Sequence, residues 1–100
     1  MRLRHYTKKS SKDKILEEGR IEAKDQNKVF VEYANSDPYS ARDAEDRYKL
    51  KRGKGNAYVE FETEDEEIHD QVNPLTGRRE YFLRGDVELK DRDPEGFDNV

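Results

Sequence analysis

The sequence has 100 residues, enough for one compact domain and too few for two, so all of its chemistry must come from a single small core. Leu, Ile, Val and Phe supply only 19 residues, but 20 basic and 24 acidic side chains nearly cancel, and six Tyr and four Phe add large areas for burial. These numbers predict a folded domain with a thin core. Because the chain contains no Cys, disulfides, a thiolate nucleophile and a cysteine zinc site are excluded.

The charge is unevenly distributed along the chain. Residues 1–54 carry 15 basic and 10 acidic side chains, whereas residues 55–100 carry 5 and 14. The acidic total disfavours binding that depends on neutralising a nucleic-acid backbone, although one anionic ligand such as a pyrophosphate suits the basic half. No stretch is apolar enough to span a membrane or to act as a secretion signal, and Met1 is compatible with a domain taken from a longer, exported protein.

Residues 2–7 predict the first strand. The two-residue alternation puts His5 on the face of Leu3 and puts Arg4 with Tyr6 on the opposite, solvated face. His5 is therefore expected to point toward the core side of this strand.

A helix is predicted over residues 12–18. Ser10 or Ser11 can cap its start, and Gly19 supplies the left-handed residue that ends it. The inward side is formed by Ile15 and Leu16.

The chain then predicts an extended piece at Ile21, a turn over 25–27 and a strand over 29–33, which is rich in β-forming residues. Ser40 is expected to cap a second helix that continues to about residue 50.

Four further strands are predicted, over residues 57–63, 68–72, 79–83 and 87–89. A turn over 73–77 makes the second and third of these a hairpin, and Gly85 bends the chain before the last one. We expect residues 1–90 to form the domain and 91–100 to be a polar tail that frays apart from Phe97. The elements together predict an α+β fold with two helices and a small, mostly antiparallel split sheet of five to six strands.

Two polar residues on the predicted strands are candidates for chemistry. His5 is followed by two hydroxyl residues, but a single strand histidine is by default a structural hydrogen-bonding group. Glu80 opens an apolar strand on the face of Phe82, where a carboxylate is either solvated or directed into a pocket. By default, Tyr48 and Phe30 are core aromatics.

The common catalytic and binding motifs do not occur. The glycines at 53 and 55 lack the remainder of a phosphate-binding loop, and no nucleophile elbow or zincin His pair is present. Residues 91–93 are too short for a calcium loop.

Six segments, taken in order, resemble the core of an ADP-ribosyltransferase. They are Leu-Arg-His-Tyr-Thr at 3–7, Ile-Leu-Glu-Glu-Gly-Arg-Ile at 15–21, Val-Phe-Val-Glu at 29–32, a Ser-led helix ending in Tyr at 40–48, Tyr-Val-Glu-Phe at 58–61 and Glu-Tyr-Phe-Leu at 80–83. The resemblance is to the diphtheria-toxin and poly(ADP-ribose) polymerase branch, and within it to small bacterial polymorphic-toxin domains with a His-Tyr-Asp/Glu signature. It covers about residues 2–89, nearly the whole chain.

The resemblance implies a role for each matched position. His5 would hold a ribose hydroxyl of NAD, and the backbone around Tyr6 would hydrogen-bond the nicotinamide carboxamide. Tyr48 would stack on the nicotinamide ring, and Glu80 would be the catalytic glutamate. Arg4 is a candidate to pair with the pyrophosphate, as are Arg2 and Lys8.

One position departs from the family pattern. The strand aromatic expected to be Tyr is Phe30, which keeps a stacking face and loses a hydroxyl. Tyr33 and Tyr39 are alternatives for this middle signature position.

The chemistry implied by the resemblance needs neither a metal nor a cysteine. Nicotinamide is a cationic leaving group, so the barrier lies in the oxocarbenium character of the ribose, as in glycoside hydrolysis. A carboxylate beside that carbon stabilises a charge that exists only in the transition state, and losing such a group typically costs on the order of 10² to 10³ in rate.

The leading hypothesis is therefore a toxin domain used in bacterial competition that transfers ADP-ribose from NAD to an acceptor, or hydrolyses NAD. The resemblance further implies the C-terminal position in a secreted polymorphic toxin, action in the target-cell cytoplasm, a cognate immunity protein as partner, no membrane partner and a monomeric isolated domain. One alternative is a metal-independent ribonuclease toxin that uses His5, Thr7 and Arg4. The other is a non-enzymatic binding module in which all these residues are structural.

Overall fold

The computed structural model of the protein describes residues 1–24 and 26–99, and within them the chain forms two helices and eight strands. The strands are β1 (Arg2–Thr7), β2 (Arg20–Ile21), β3 (Lys28–Tyr33), β4 (Ala57–Glu62), β5 (His69–Val72), β6 (Arg79–Arg84), β7 (Val87–Glu88) and β8 (Glu95–Asp98). The helices are α1 (Lys9–Glu18) and α2 (Ala41–Tyr48), and Asp65–Glu67 forms one 3₁₀ turn. Asp25, in the predicted turn, and Val100, in the predicted tail, lie outside the described residues.

Six strands form one antiparallel sheet in the order β5-β6-β3-β1-β4-β8, and β2 pairs with β7 in a second, two-stranded sheet. The predicted α+β class and the mostly antiparallel sheet are therefore confirmed. The hairpin of β5 and β6 is also confirmed, and a bend at Gly85, with φ of 72°, separates β6 from β7 as expected.

The apolar core lies on one face of the six-stranded sheet. Leu3 on β1 lies opposite Phe61 on β4, and both side chains are fully buried. Alternation is the cause, because successive strand residues point to opposite sides and Leu3 on β1 shares a face with Ala57, Val59 and Phe61 on β4. The buried cluster consists of Leu3, Ile21, Val29, Val31, Val59, Phe61, Leu83, Val87 and Leu89.

Helix α1 ends as predicted but begins differently. Gly19 adopts φ of 72° and its N–H donates to the Ile15 carbonyl, which confirms the predicted stop. The predicted serine cap is wrong, since the helix starts at Lys9 after Lys8, whose side chain makes no capping bond. Ile15 packs against the core, whereas Leu16, predicted to point inward, is 38% exposed.

Helix α2 begins at its predicted cap. The Ser40 hydroxyl accepts a hydrogen bond from the Asp43 N–H at 3.1 Å. The helix ends at Tyr48, two residues earlier than expected, because Lys49 takes a left-handed φ of 56°. Neither helix of the described residues is long and apolar enough to cross a membrane.

The fraying predicted for the C-terminal tail is wrong. Residues Glu95–Asp98 form β8, which pairs with the outer edge of β4. Phe97 stacks on Tyr58 with ring centroids 5.1 Å apart, and the Asn99 side chain donates to the Gly55 carbonyl. The prediction failed because the segment is polar, while its attachment comes from backbone pairing with an otherwise open strand edge and from one aromatic contact.

Candidate active site

The sheet is split between β1 and β3. The ladder between these strands consists of two residue pairs, Leu3 with Tyr33 and Arg4 with Glu32. On its other side, β1 pairs with β4 over six residues, as far as Thr7. The two central strands therefore separate after Arg4, which opens a gap in the middle of the sheet.

His5 lies in this gap, where its side chain replaces a main-chain N–H as a hydrogen-bond donor. Its Nδ1–H donates to the Phe30 carbonyl oxygen at 2.8 Å. The Arg2 carbonyl accepts from the Ala34 N–H, so a continued ladder would instead pair the Phe30 carbonyl with the N–H of Tyr6. The imidazole thus satisfies a carbonyl that the strand separation leaves without its ladder partner.

The same contact fixes the tautomer of the neutral His5 ring. A carbonyl oxygen only accepts, so Nδ1 carries the hydrogen and Nε2 is the acceptor nitrogen of the neutral ring. Burial lowers the pKa of His5 and outweighs the bond to the Phe30 carbonyl, which acts to raise it. The imidazole is therefore neutral near pH 7, and Nε2 has no hydrogen-bond partner among the described residues.

The main chain of Tyr6 faces the gap. Main-chain groups of alternate residues point to the same neighbouring strand, and the bond from Ala34 to the Arg2 carbonyl shows that residues 2, 4 and 6 point toward β3. Because the ladder with β3 stops at Arg4, the N–H and C=O of Tyr6 are directed into the split. One donor and one acceptor are thereby presented side by side.

Arg4 is buried on the face of the sheet opposite the apolar core, and its predicted solvent exposure is wrong. The side chain is 3% exposed, and its nitrogens donate to Glu32 at 2.7 Å, to Glu60 at 2.9 Å and to the Ser36 carbonyl at 2.9 Å. The register explains this, since Glu32 on β3 and Glu60 on β4 lie directly opposite Arg4. All three nitrogens of the guanidinium are engaged within the protein, so the expectation that Arg4 pairs with a pyrophosphate is not met.

Two tyrosines share the carboxylate of Glu32. The Tyr48 hydroxyl donates to Oε1 at 2.5 Å, and the Tyr6 hydroxyl donates to Oε2 at 2.9 Å. Burial raises the pKa of both phenols, and the adjacent carboxylate raises it further, so both remain protonated donors. The sequence reasoning missed Glu32, although a carboxylate within an apolar, β-forming strand was the available signal.

Glu80 lies on the same face as this network. Val31 pairs with Tyr81, so Glu32 and Glu80 are cross-strand neighbours in one row with Arg4. The Gln71 amide donates to Glu80 Oε1 at 3.1 Å, whereas Oε2 has no partner among the described residues. One oxygen is thus oriented by the protein and the other is left for a ligand.

Tyr48 and Glu80 line one cleft of about 270 Å³ beside the end of β3. A neighbouring cleft of about 570 Å³, between α2 and the turn that joins β5 to β6, shares Tyr39 and Arg47 with it. Cavities of this size suit part of a small-molecule ligand. The first cleft is lined by Val31, Glu32, Tyr33, Asn35, Ser36, Asp37, Tyr39, Arg47, Tyr48, Arg79, Glu80 and Tyr81.

The structure brings together some of the predicted site residues and separates His5 from the cleft. Phe30 packs on Phe82, with centroids 6.1 Å apart, on the face that carries Glu80. Both alternatives for the middle signature position, at 33 and 39, line the cleft. His5 does not line it, because successive strand residues face opposite sides and His5 directly follows Arg4. Its ring reaches the edge of β3, where Nδ1 donates to the Phe30 carbonyl.

Comparison with known families gives one finding. The sequence model of a toxin family described as "HYD1 signature containing ADP-ribosyltransferase" matches residues 3–91. The match begins in β1 and extends past β7, so it includes the split, α2 and both strands of the hairpin that carries Glu80. No curated protein and no solved structure matches the chain.

Proposed function

Because the chain belongs to the family of toxin domains that contain an ADP-ribosyltransferase with the HYD1 signature, we propose that it binds NAD and transfers ADP-ribose to an acceptor. The bond between nicotinamide and ribose breaks, nicotinamide leaves, and the acceptor takes its place on the ribose. With water as the acceptor, the same site acts as an NAD glycohydrolase.

The observation that carries the proposal is the position of Tyr48 and Glu80 on two walls of one cleft. Tyr48 offers a flat aromatic surface, which suits the nicotinamide ring. Glu80 offers a carboxylate oxygen that no described residue engages, which suits a ribose hydroxyl and the positive charge that develops on the sugar. An aromatic ring and a carboxylate in the same cleft therefore suit the cleavage of the bond between nicotinamide and ribose.

The gap between β1 and β3 supplies the remaining polar groups. The N–H and C=O of Tyr6 form a donor and acceptor pair that matches a carboxamide. His5 contributes the neutral acceptor Nε2, which suits a ribose hydroxyl as donor. We propose that His5 acts through the gap, since its side chain does not line the cleft.

The ribonuclease alternative lacks structural support. It requires Arg4 to act on a phosphodiester together with His5 and Thr7, yet Arg4 is only 3% exposed. The guanidinium of Arg4 is also fully engaged by Glu32, Glu60 and the Ser36 carbonyl.

The biological setting is part of the proposal and rests on the family alone. We propose that the domain is the toxic part of a longer, secreted polymorphic toxin that acts in the cytoplasm of the target cell. A cognate immunity protein would neutralise it in the producing cell.

The proposal is tested by incubating the purified domain with NAD and, separately, with tRNA. We expect nicotinamide release, faster with an acceptor present than with water alone, and intact tRNA. Cleavage of tRNA without nicotinamide release would overturn the proposal in favour of a nuclease. No activity in either assay, together with no binding of NAD by calorimetry, would overturn it in favour of a binding module.

A further inference from the structure

The carboxylate of Glu32 is the centre of a hydrogen-bond network to which the proposed function assigns no role. It accepts hydrogen bonds from Arg4, Tyr6 and Tyr48, so both oxygens are engaged within the protein. Glu80, in the same cross-strand row, keeps one oxygen without a partner among the described residues. Glu32 and Glu80 therefore differ in availability, because only Glu80 of this pair keeps a carboxylate oxygen without a partner in the described part of the chain.

The network holds the side chain of Tyr48 at the end of α2. Tyr48 is the last residue of α2, directly before the left-handed turn at Lys49. The bond from its hydroxyl to Glu32 Oε1 ties the tip of the ring to the middle of β3. Its ring also lies 5.8 Å from the ring of Tyr6, which donates to the other oxygen of the same carboxylate.

Glu32 is in turn held in place by Arg4. The guanidinium bridges Glu32 and Glu60 on the two neighbouring strands and donates to the Ser36 carbonyl in the loop before α2. The phenols are kept protonated by burial, so the donors of the network persist over the physiological pH range. A fixed anion with permanent donors gives Tyr48 one preferred orientation.

We propose that Glu32 is a positioning residue that orients the ring of Tyr48 for the nicotinamide of NAD. The inference rests on the proposed function, because it assigns Tyr48 to nicotinamide binding. It gives Glu32 no contact with the substrate and no part in bond cleavage.

The test compares the Glu32→Gln variant with a Glu60→Gln control in steady-state assays of nicotinamide release. Each substitution removes one of the two carboxylate charges that contact Arg4, but only the side chain of Glu32 contacts Tyr48. We expect Glu32→Gln to raise KM for NAD about tenfold with kcat changed less than about threefold, because a weakened bond to Tyr48 leaves its ring less well oriented for binding. Glu60→Gln should lower the urea midpoint and leave KM unchanged within about twofold.

A second variant keeps the test decisive if Glu32→Gln does not fold. Tyr48→Phe retains the ring and loses only its bond to Glu32, and it should raise KM about fivefold. Adding it to Glu32→Gln should raise KM by much less than fivefold, because both substitutions act on the same bond. Equal KM values for wild type, Glu32→Gln and Tyr48→Phe would overturn the positioning role while the proposed function stands. A wild-type domain that releases no nicotinamide would overturn the proposed function itself.

Discussion

The two faces of the six-stranded sheet bury neighbouring residues with opposite chemistry. Leu3 is fully buried in the apolar cluster, and the next residue, Arg4, is 3% exposed among carboxylates and tyrosines. The first face excludes water around aliphatic side chains, whose burial is favourable without directional bonds. The second face requires every polar group to find a partner.

The difference between the two faces indicates where on the sheet a functional site can lie. The aliphatic side chains of the apolar face offer no hydrogen-bonding group, whereas the polar face organises charges and carries the cleft with Tyr48 and Glu80. No buried side-chain nitrogen or oxygen among the described residues lacks a partner, so the polar face is well satisfied as it stands. The apolar cluster therefore serves stability, whereas the polar face serves stability and also carries the cleft that we propose binds NAD.

We expect the largest effect on the free energy of unfolding from a substitution at the centre of the polar face. Arg4→Ala would leave Glu32 and Glu60 close together without their shared cation, and it should lower the free energy of unfolding by about 3–5 kcal/mol. Leu3→Ala, the matched change on the apolar face, should cost about 2–5 kcal/mol through the lost contacts and the cavity. Urea unfolding monitored by circular dichroism measures both values. A cost below about 1 kcal/mol for Arg4→Ala would show that the polar network contributes little to the fold.

The next substitution on the polar face should reduce turnover without reducing the stability of the fold. Glu80→Gln should keep the fold, bind NAD within a few-fold and lose turnover on the order of a hundredfold, because the positive charge that the carboxylate stabilises exists only in the transition state. Transferase and glycohydrolase activities should fall together. Glu62→Gln is the matched control, since Glu62 is exposed at the far end of β4 and outside the cleft. Unchanged turnover in Glu80→Gln would refute its catalytic assignment.

A smaller effect concerns the histidine in the split. Burial lowers the pKa of His5 below its usual 6.5, so the unfolded chain binds this proton more readily than the folded one. Stability should therefore fall as the pH decreases below about 6.5, by at most about 1.4 kcal/mol per pH unit. A comparison of urea midpoints between pH 7 and 5.5 should show a weaker fall for His5→Gln than for wild type. Identical pH profiles would mean that His5 is not the responsible group.

The smallest effect lies outside both faces, where Arg92 ties the acidic 3₁₀ turn to the segment after β7. Bonds from Arg92 and Thr63 lower the pKa of Glu67 to about 2. This contribution to stability is present above about pH 4.5 and is lost as the pH falls toward 2. Because the pair is partly exposed, Glu67→Gln should cost no more than about 1 kcal/mol at pH 7. The urea midpoints of wild type and Glu67→Gln should converge at pH 2, and a difference that persists there would contradict the assignment.

Local patterns predicted most of the backbone. Alternation located β1 and its two faces, and Ser40 and Gly19 marked a helix start and a helix end through known capping chemistry. The tail strand β8 was missed because a mostly polar segment gives no alternation signal, and its partner β4 is distant in sequence.

The site was only partly predictable for a related reason. Tyr48 and Glu80 could be proposed from a resemblance, but their neighbours depend on cross-strand register, which one sequence does not reveal. Arg4 seemed solvated because nothing in its own strand indicates Glu32 and Glu60 on either side. The insertion of His5 into the gap depends equally on where the ladder between β1 and β3 ends.

The most direct test of the central claim is a crystal structure of the Glu80→Gln variant soaked with nicotinamide. The account predicts that the ring lies against Tyr48 and that the carboxamide bonds the main chain of Tyr6 in the gap between β1 and β3. Nicotinamide bound away from Tyr48, or absent from the cleft at saturating concentration, would contradict it.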